Sequence, residues 1–116
     1  MTVTVEQFLE AAKGGDEATV QRALEQHPPV DINTADPVGQ TVLHWAVRKK
    51  HARVVSLLLA HPPIRMDARS AVGSAALHDA ANYNAGAAII EELLEHKADI
   101  TATNNYGWTV LHFVIR

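Results

Sequence analysis

The chain has 116 residues, 47% of them apolar, with 10 basic and 13 acidic side chains, seven histidines and a formal net charge of -3. That length makes one domain with little stability to spare, and the acidic balance argues against a general nucleic-acid or membrane-surface binder, which needs a basic excess. No cysteine is present, which removes a disulfide scaffold and a zinc ribbon and points to a reducing setting, cytoplasm or nucleus.

The first residues, MTVTVEQFLEAAKGGDE, carry acids early and no long apolar run, unlike a signal peptide. No stretch of the chain approaches the ~20 apolar residues needed to cross a bilayer. Gly14-Gly15 reads as a turn ahead of Asp16, since no Gly-Lys-Ser/Thr follows to make a phosphate loop. From there the chain repeats itself. His27-Pro28-Pro29-Val30 returns as His61-Pro62-Pro63-Ile64, and Gly39-Gln40-Thr41-Val42-Leu43-His44 returns as Gly73-Ser74-Ala75-Ala76-Leu77-His78 and Gly107-Trp108-Thr109-Val110-Leu111-His112. Both elements step by 34 residues.

Each unit has one grammar. Gly39 suits a turn at a loop tip, and Thr41 offers its hydroxyl to the free N–H groups of a starting helix. Leu43, Ala46 and Val47 then have the spacing of a buried helical stripe. After Lys49-Lys50-His51 a second helix runs through Val54, Val55, Leu58 and Leu59, and Pro62-Pro63 cannot continue it. The next unit supplies Leu77, Ala80 and Ala81, then Ile89, Ile90, Leu93 and Leu94. The third, from Asn104 and Gly107, reaches Arg116 after one helix that starts at Thr109. Two short helices and a turn, restarted at a fixed interval, predict an all-α solenoid of paired antiparallel helices joined by β-hairpin-like loops.

At these residues the chain resembles the ankyrin-repeat family, whose motif runs Asp-x-x-Gly-x-Thr-Pro-Leu-His-x-Ala with a downstream Val-x-x-Leu-Leu. Asp36, Gly39, Thr41, Leu43, His44, Ala46, Val55, Leu58 and Leu59 match it, as do Gly73, Leu77, His78, Ala80, Ala81, Leu93, Leu94, Ala98 and Asp99. Asn104, Gly107, Thr109, Leu111 and His112 begin a further copy. Phe8, Ala11, Ala12, Gly15, Asp16, Val20, Leu24, Asp31 and Asn33 resemble a degenerate first repeat. The expected organisation is one domain over 1–116, with an amino-terminal capping repeat at 1–35, repeats at 36–69 and 70–103, and an incomplete repeat at 104–116. Departures from the motif have predictable effects. Val42, Ala76 and Val110 replace its proline, and Ala75 replaces the capping threonine at a cost of ~1 kcal/mol. The interval of 34 exceeds the family's usual 33, which places extra residues near Pro62–Arg65 and within Asn82–Gly86.

His44, His78 and His112 recur at one position and should form a ladder. Neighbouring helices pack roughly 8–10 Å apart, whereas a zinc ion holds its nitrogens at about 2.0–2.1 Å, so adjacent rungs cannot share one. The resemblance implies that this histidine is structural, tying one hairpin to the next. His27 and His61 suit helix ends, and His51 and His96 are expected to be exposed. Ser56, Ser70 and Ser74 lie outside any Gly-x-Ser-x-Gly elbow. Glu91, Glu92 and Glu95 read as a solvated helix face. No enzyme, metal or cofactor is expected.

The residues left over carry the functional reading. Arg48-Lys49-Lys50-His51-Ala52-Arg53 is a basic run in an acidic protein, either a solvated turn or a docking spot for an acidic peptide. Trp45, Tyr83, Tyr106 and Trp108 are amphipathic anchors of the kind that dominate interfaces. The resemblance implies target contacts from hairpin tips and first helices, which adds Val38, Gln40, Val72, Ser74, Asp79 and Asn82 by position. The function expected is binding of another protein through the concave face, as inhibitor, adaptor or scaffold, with no small-molecule substrate and no membrane. The alternative is a targeting or regulatory piece of a larger protein, an enzyme or a secreted bacterial effector among them. Leu111, Val114 and Ile115 would have no covering helix after Arg116. That implies a longer stack, or an end covered by self-association or a permanent partner.

Overall fold

The computed structural model describes residues 2–61, 64–65, 68–96 and 98–110. Among them are six helices in three consecutive pairs: α1 Val5–Gly14 and α2 Glu17–Glu25, α3 Val42–Arg48 and α4 Ala52–Leu59, α5 Ala76–Asn82 and α6 Ala87–Glu95. The first helices of the pairs form one layer, with α3 packed between α1 and α5. The second helices form the other, with α4 packed between α2 and α6. The result is elongated, 46 × 27 × 22 Å, as stacking of units predicts.

Local chemistry sets each helix start. Thr4 and Thr41 close capping boxes: Thr4 Oγ1 accepts from the Gln7 N–H at 3.1 Å and Thr41 Oγ1 from the His44 N–H at 3.3 Å. Gln7 Oε1 and His44 Nδ1 accept the returning N–H groups at 2.9 and 3.2 Å. Asp16 caps α2 through the Thr19 N–H. Ala75 has no acceptor, so α5 keeps half of the box, the Ala75 N–H donated to His78 Nδ1 at 3.0 Å. The amino-terminal pair, degenerate in sequence, is a full helix pair. Gln26 holds its leading strand by a two-way bond to the Val3 backbone.

The turn between paired helices needs a left-handed residue, and three different residue types supply it: Gly15 at φ 74°, Lys50 at φ 63° and Asn84 at φ 54°. The turn after α5 also has one residue more than the turn after α3, as the sequence interval implies. The expected insertion near Pro62–Arg65 and the stripe of Leu111, Val114 and Ile115 lie wholly or partly outside the described residues. So does the third rung, His112.

Phe8, Val20, Val42, Leu43, Val47, Val54, Val55, Leu58, Leu77 and Leu93 are the largest fully buried apolar side chains among the described residues, and they belong to one core cluster along the stack. At the far pair burial loosens: Leu59 is buried in α4, whereas Leu94 of α6 is exposed and Ile90 is half-buried.

Core continuity makes a direct prediction. Leu77 sits on α5 at 2% exposure, so Leu77→Ala should cost about 2–5 kcal/mol in a urea melt. Val38→Ala at an exposed tip should stay within ~0.5 kcal/mol. A loss below that figure for Leu77→Ala would contradict the register of the stack.

Candidate functional site

The surface not consumed by core packing begins at the hairpin tips. Asp36, Ser70 and Asn104 stand 34 residues apart and do the same work with different side chains. Asp36 Oδ1 accepts from the Val38 and Gln40 N–H groups at 3.1 and 2.9 Å. Asn104 Oδ1 accepts from Tyr106 and Trp108, and Ser70 Oγ from Ser74. Each tip turns through a glycine at φ 74–77°, Gly39, Gly73 and Gly107. Close approach adds a second requirement at Gly73, where a Cβ would come within 2.3 Å of Asn105. Successive tips are tied by the Ala71 N–H to the Val38 carbonyl at 2.9 Å and the Asn105 N–H to the Val72 carbonyl at 3.0 Å. This ladder lines up Val38, Val72 and Tyr106 as an exposed ridge, at 54%, 43% and 72% exposure. Trp108 is exposed beside it.

The inner helices supply the rest. Trp45 is half-buried on α3, its Nε1–H donated to Asp36 Oδ2 at 2.9 Å. Its ring carries cations: Lys13 Nζ lies 4.5 Å from the centroid, the Arg48 guanidinium 5.1 Å and Lys49 Nζ 5.9 Å. Arg48 also lies 4.3 Å over the Tyr83 ring and donates from Nη2 to the Tyr83 hydroxyl. Trp45, Arg48, Lys49 and Tyr83, read separately from the sequence, are thus one cluster. Asn82 is half-buried next to Tyr83. Lys13 belongs to the cluster and was missed. Its signal was positional, since it stands two residues before the left-handed turn residue Gly15 as Arg48 stands two before Lys50.

Gln40, Ser74 and Asp79, expected on this surface, are buried instead. Gln40 and Ser74 lie on the return limb of the turn, just before the residue that starts the inner helix. There their backbones are consumed: Ser74's carbonyl accepts from His44 at 2.7 Å, and Gln40's N–H and carbonyl both pair with Asp36. They support the tips and do not present themselves. Asp79 occupies on α5 the place that Trp45 has on α3, yet is 5% exposed, and among the described residues its Oδ2 has no hydrogen-bond partner. Burial pushes its carboxyl up to about 7, against the opposing pull of Arg48. Asp36 goes the other way. Burial alone would raise it, but the Gln40 N–H, the Trp45 Nε1–H and the Val38 N–H hold it below the usual carboxylate range.

His44, His78 and His51 make structural bonds. The Thr41 N–H can only donate, so His44 Nδ1 accepts and Nε2–H donates to the Ser74 carbonyl. His78 repeats this with Ala75 and the Ala102 carbonyl at 2.8 Å. His51, expected to be exposed, is half-buried and bonds the Lys13 carbonyl at 2.9 Å, packing where a Cβ on Gly15 would stand. Among the described residues no three metal-ligating side chains converge, and no helix is long and apolar enough to cross a membrane.

A family model for ankyrin repeats, three copies, matches residues 8–104. The chain belongs to the ankyrin-repeat family. Short transient receptor potential channel 3 of Homo sapiens is 37% identical over 59 residues, which is 51% of this chain and 6% of that protein. Ankyrin repeat domain-containing protein 40 of Mus musculus is 46% identical over 55 residues, 47% of this chain and 15% of its own. The chain therefore matches only a small part of the length of these relatives. Ankyrin repeats are as a class protein–protein interaction modules.

Asp79 gives this ankyrin stack a pH signature. The folded carboxyl keeps its proton up to about 7, whereas the unfolded one releases it near 3.8. Its contribution is therefore complete below 3.8 and is lost as pH rises through about 7. Asp79→Asn, which cannot ionise, should gain about 2–3 kcal/mol over the parent between pH 5 and pH 8. His44 has the opposite slope in both proteins, because burial lowers its pKa below 6.5 and stability falls as pH drops through that lowered value. Urea melts at the two pH values measure the difference, and parallel pH profiles would refute an ionisable, buried Asp79.

Proposed function

We propose that the chain binds a partner protein through its concave side, the surface formed by the hairpin tips and the inner helices, as an inhibitor, adaptor or scaffold. The observation that carries the reading is the ridge of Val38, Val72 and Tyr106. A side chain exposed once is ordinary, but three in register on a hydrogen-bonded ladder make a continuous apolar edge without a role in the core. Trp108 on the same tip as Tyr106, and Tyr83 at the carboxyl end of α5, add amphipathic rings to this side, which bury much area at low entropic cost. Tip-to-tip hydrogen bonds hold the edge before any partner arrives, which lowers the cost of binding. No catalytic step is part of this reading.

A second reading, a docking module within a longer protein, draws on the relatives, where the matched segment is 6–15% of the length. It uses the same face.

With a partner captured from cell extract and identified, Tyr106→Ala and Trp108→Ala should each weaken binding by ~1–3 kcal/mol in calorimetry, with thermal melts unchanged. Changes at Glu91 and Glu95 on α6 should have little effect. The reverse pattern would move the interface to the outer-helix side.

A further inference from the structure

We propose that the end of the inner-helix layer around Trp45, Arg48, Lys49 and Tyr83 is a docking site for an acidic stretch of the partner protein, whose carboxylates pair with Arg48 and Lys49. The inference rests on the concave-side reading and names the chemistry of what binds there.

Three cations surround one indole, at 4.5, 5.1 and 5.9 Å from its centroid. Lys13 has a carboxylate of its own, Glu10 at 3.4 Å. Among the described residues no carboxylate lies within 4.0 Å of Arg48 or Lys49, although the chain as a whole carries a charge of -3. Asp79, the buried carboxyl whose field reaches Arg48, holds its proton to about 7 and so neutralises it only in part. Arg48 and Lys49, gathered on one indole with no carboxylate in ion-pair range among the described residues, repel one another, and an incoming anion relieves that repulsion.

The geometry also prepares the cations. Arg48 lies over both the Trp45 and Tyr83 rings, and one of its N–H groups is spent on the Tyr83 hydroxyl. A guanidinium held by its faces still offers in-plane N–H groups, the fork that matches a carboxylate. Trp45 is itself fixed by Asp36, so little side-chain freedom remains to be lost on binding. A nucleic acid would need a continuous basic track. Here Glu10, Asp36 and Asp79 flank the cations, which suits a short acidic segment that places a few charges and no more.

The test is fluorescence anisotropy with the whole chain and a labelled peptide of ten glutamates. A ten-glutamine peptide and a 12-nucleotide single-stranded DNA serve as competitors of other chemistry. The glutamate peptide should bind at low salt and the glutamine peptide should not. The Arg48→Ala/Lys49→Ala double variant should weaken binding by about tenfold or more. Lys49→Gln alone, on an exposed side chain, should weaken it by about threefold, which guards against misfolding of the double variant. Asp79→Asn, by removing a competing carboxylate, should tighten it at pH 8. Absence of binding, binding indifferent to Arg48 and Lys49, or tighter binding of the DNA with the same dependence would each overturn the proposal. The two readings fail separately. An identified partner that responds to Tyr106 and Trp108 but ignores Arg48 and Lys49 leaves the concave side in place and removes only the acidic chemistry.

Discussion

The stack depends on a neutral imidazole held at both ends. His44 accepts from the N–H that starts its own helix and donates to the Ser74 carbonyl of the next unit, while His78 makes the same pair of bonds within its own repeat, donating to the Ala102 carbonyl in the loop after α6. Both bonds are possible only in one tautomer, with the proton on Nε2. The Ser74 carbonyl lies in a buried loop, where an unmade bond would cost ~1–3 kcal/mol, and Ala102 is half-buried. The histidine thus does within a helical solenoid what strand pairing does within a sheet: it satisfies backbone across the seam between units. His51 adds a second tie on the other side of the inner helix, reaching back to the Lys13 carbonyl. Register between units is consequently set by directional bonds at two heights, and the Leu and Val core fills the space they define.

Those ties leave the tips with their own ladder. Gly39, Gly73 and Gly107 share a left-handed φ, and the loops they close dock on one another through backbone bonds. A Cβ at Gly73 would strike the following tip, so the conformation and the packing require the same residue. Side chains two residues apart across such a turn meet opposite fates. Val38 and Val72 point away from the ladder, while Gln40 and Ser74 are sealed within it.

That split explains what could be read from the amino acids. The interval of 34, the helix start at Thr41, the core line of Leu43, Leu58, Leu77 and Leu93, and the bridging histidine all follow from local chemistry repeated at a fixed spacing. Burial of Gln40 and Ser74 does not, because it depends on the neighbouring tip and not on the residue's own position. Asp79 is harder still. It replaces an aromatic in the corresponding place, and polarity argues for exposure, yet the fold buries it with an oxygen that has no partner among the described residues. The cluster at Trp45 was visible in parts, but the contribution of Lys13 bridges 32 positions and two units. Only aligning the ends of successive inner helices would have brought it in.

A solenoid of this kind separates stability from recognition more cleanly than a compact domain does. Contacts between neighbouring units involve the inner faces of the helices and the backbones of the tips, so the outward side chains are free of both. Arg48 and Tyr83 show the consequence. They belong to adjacent units and meet over a seam, yet the bonds that set that seam are made elsewhere, by His44 and the backbone. Replacing either residue alters the charge and shape offered to a partner without touching what holds the units together. Asp79 is the exception, because it lies behind the cluster, buried with the core. Its proton therefore couples the two functions that the architecture otherwise keeps apart: an ionised Asp79 weakens the fold and also opposes Arg48 as an anchor for negative charge. The place where the repeat rule is broken is thus the one place where folding stability and surface charge must change together.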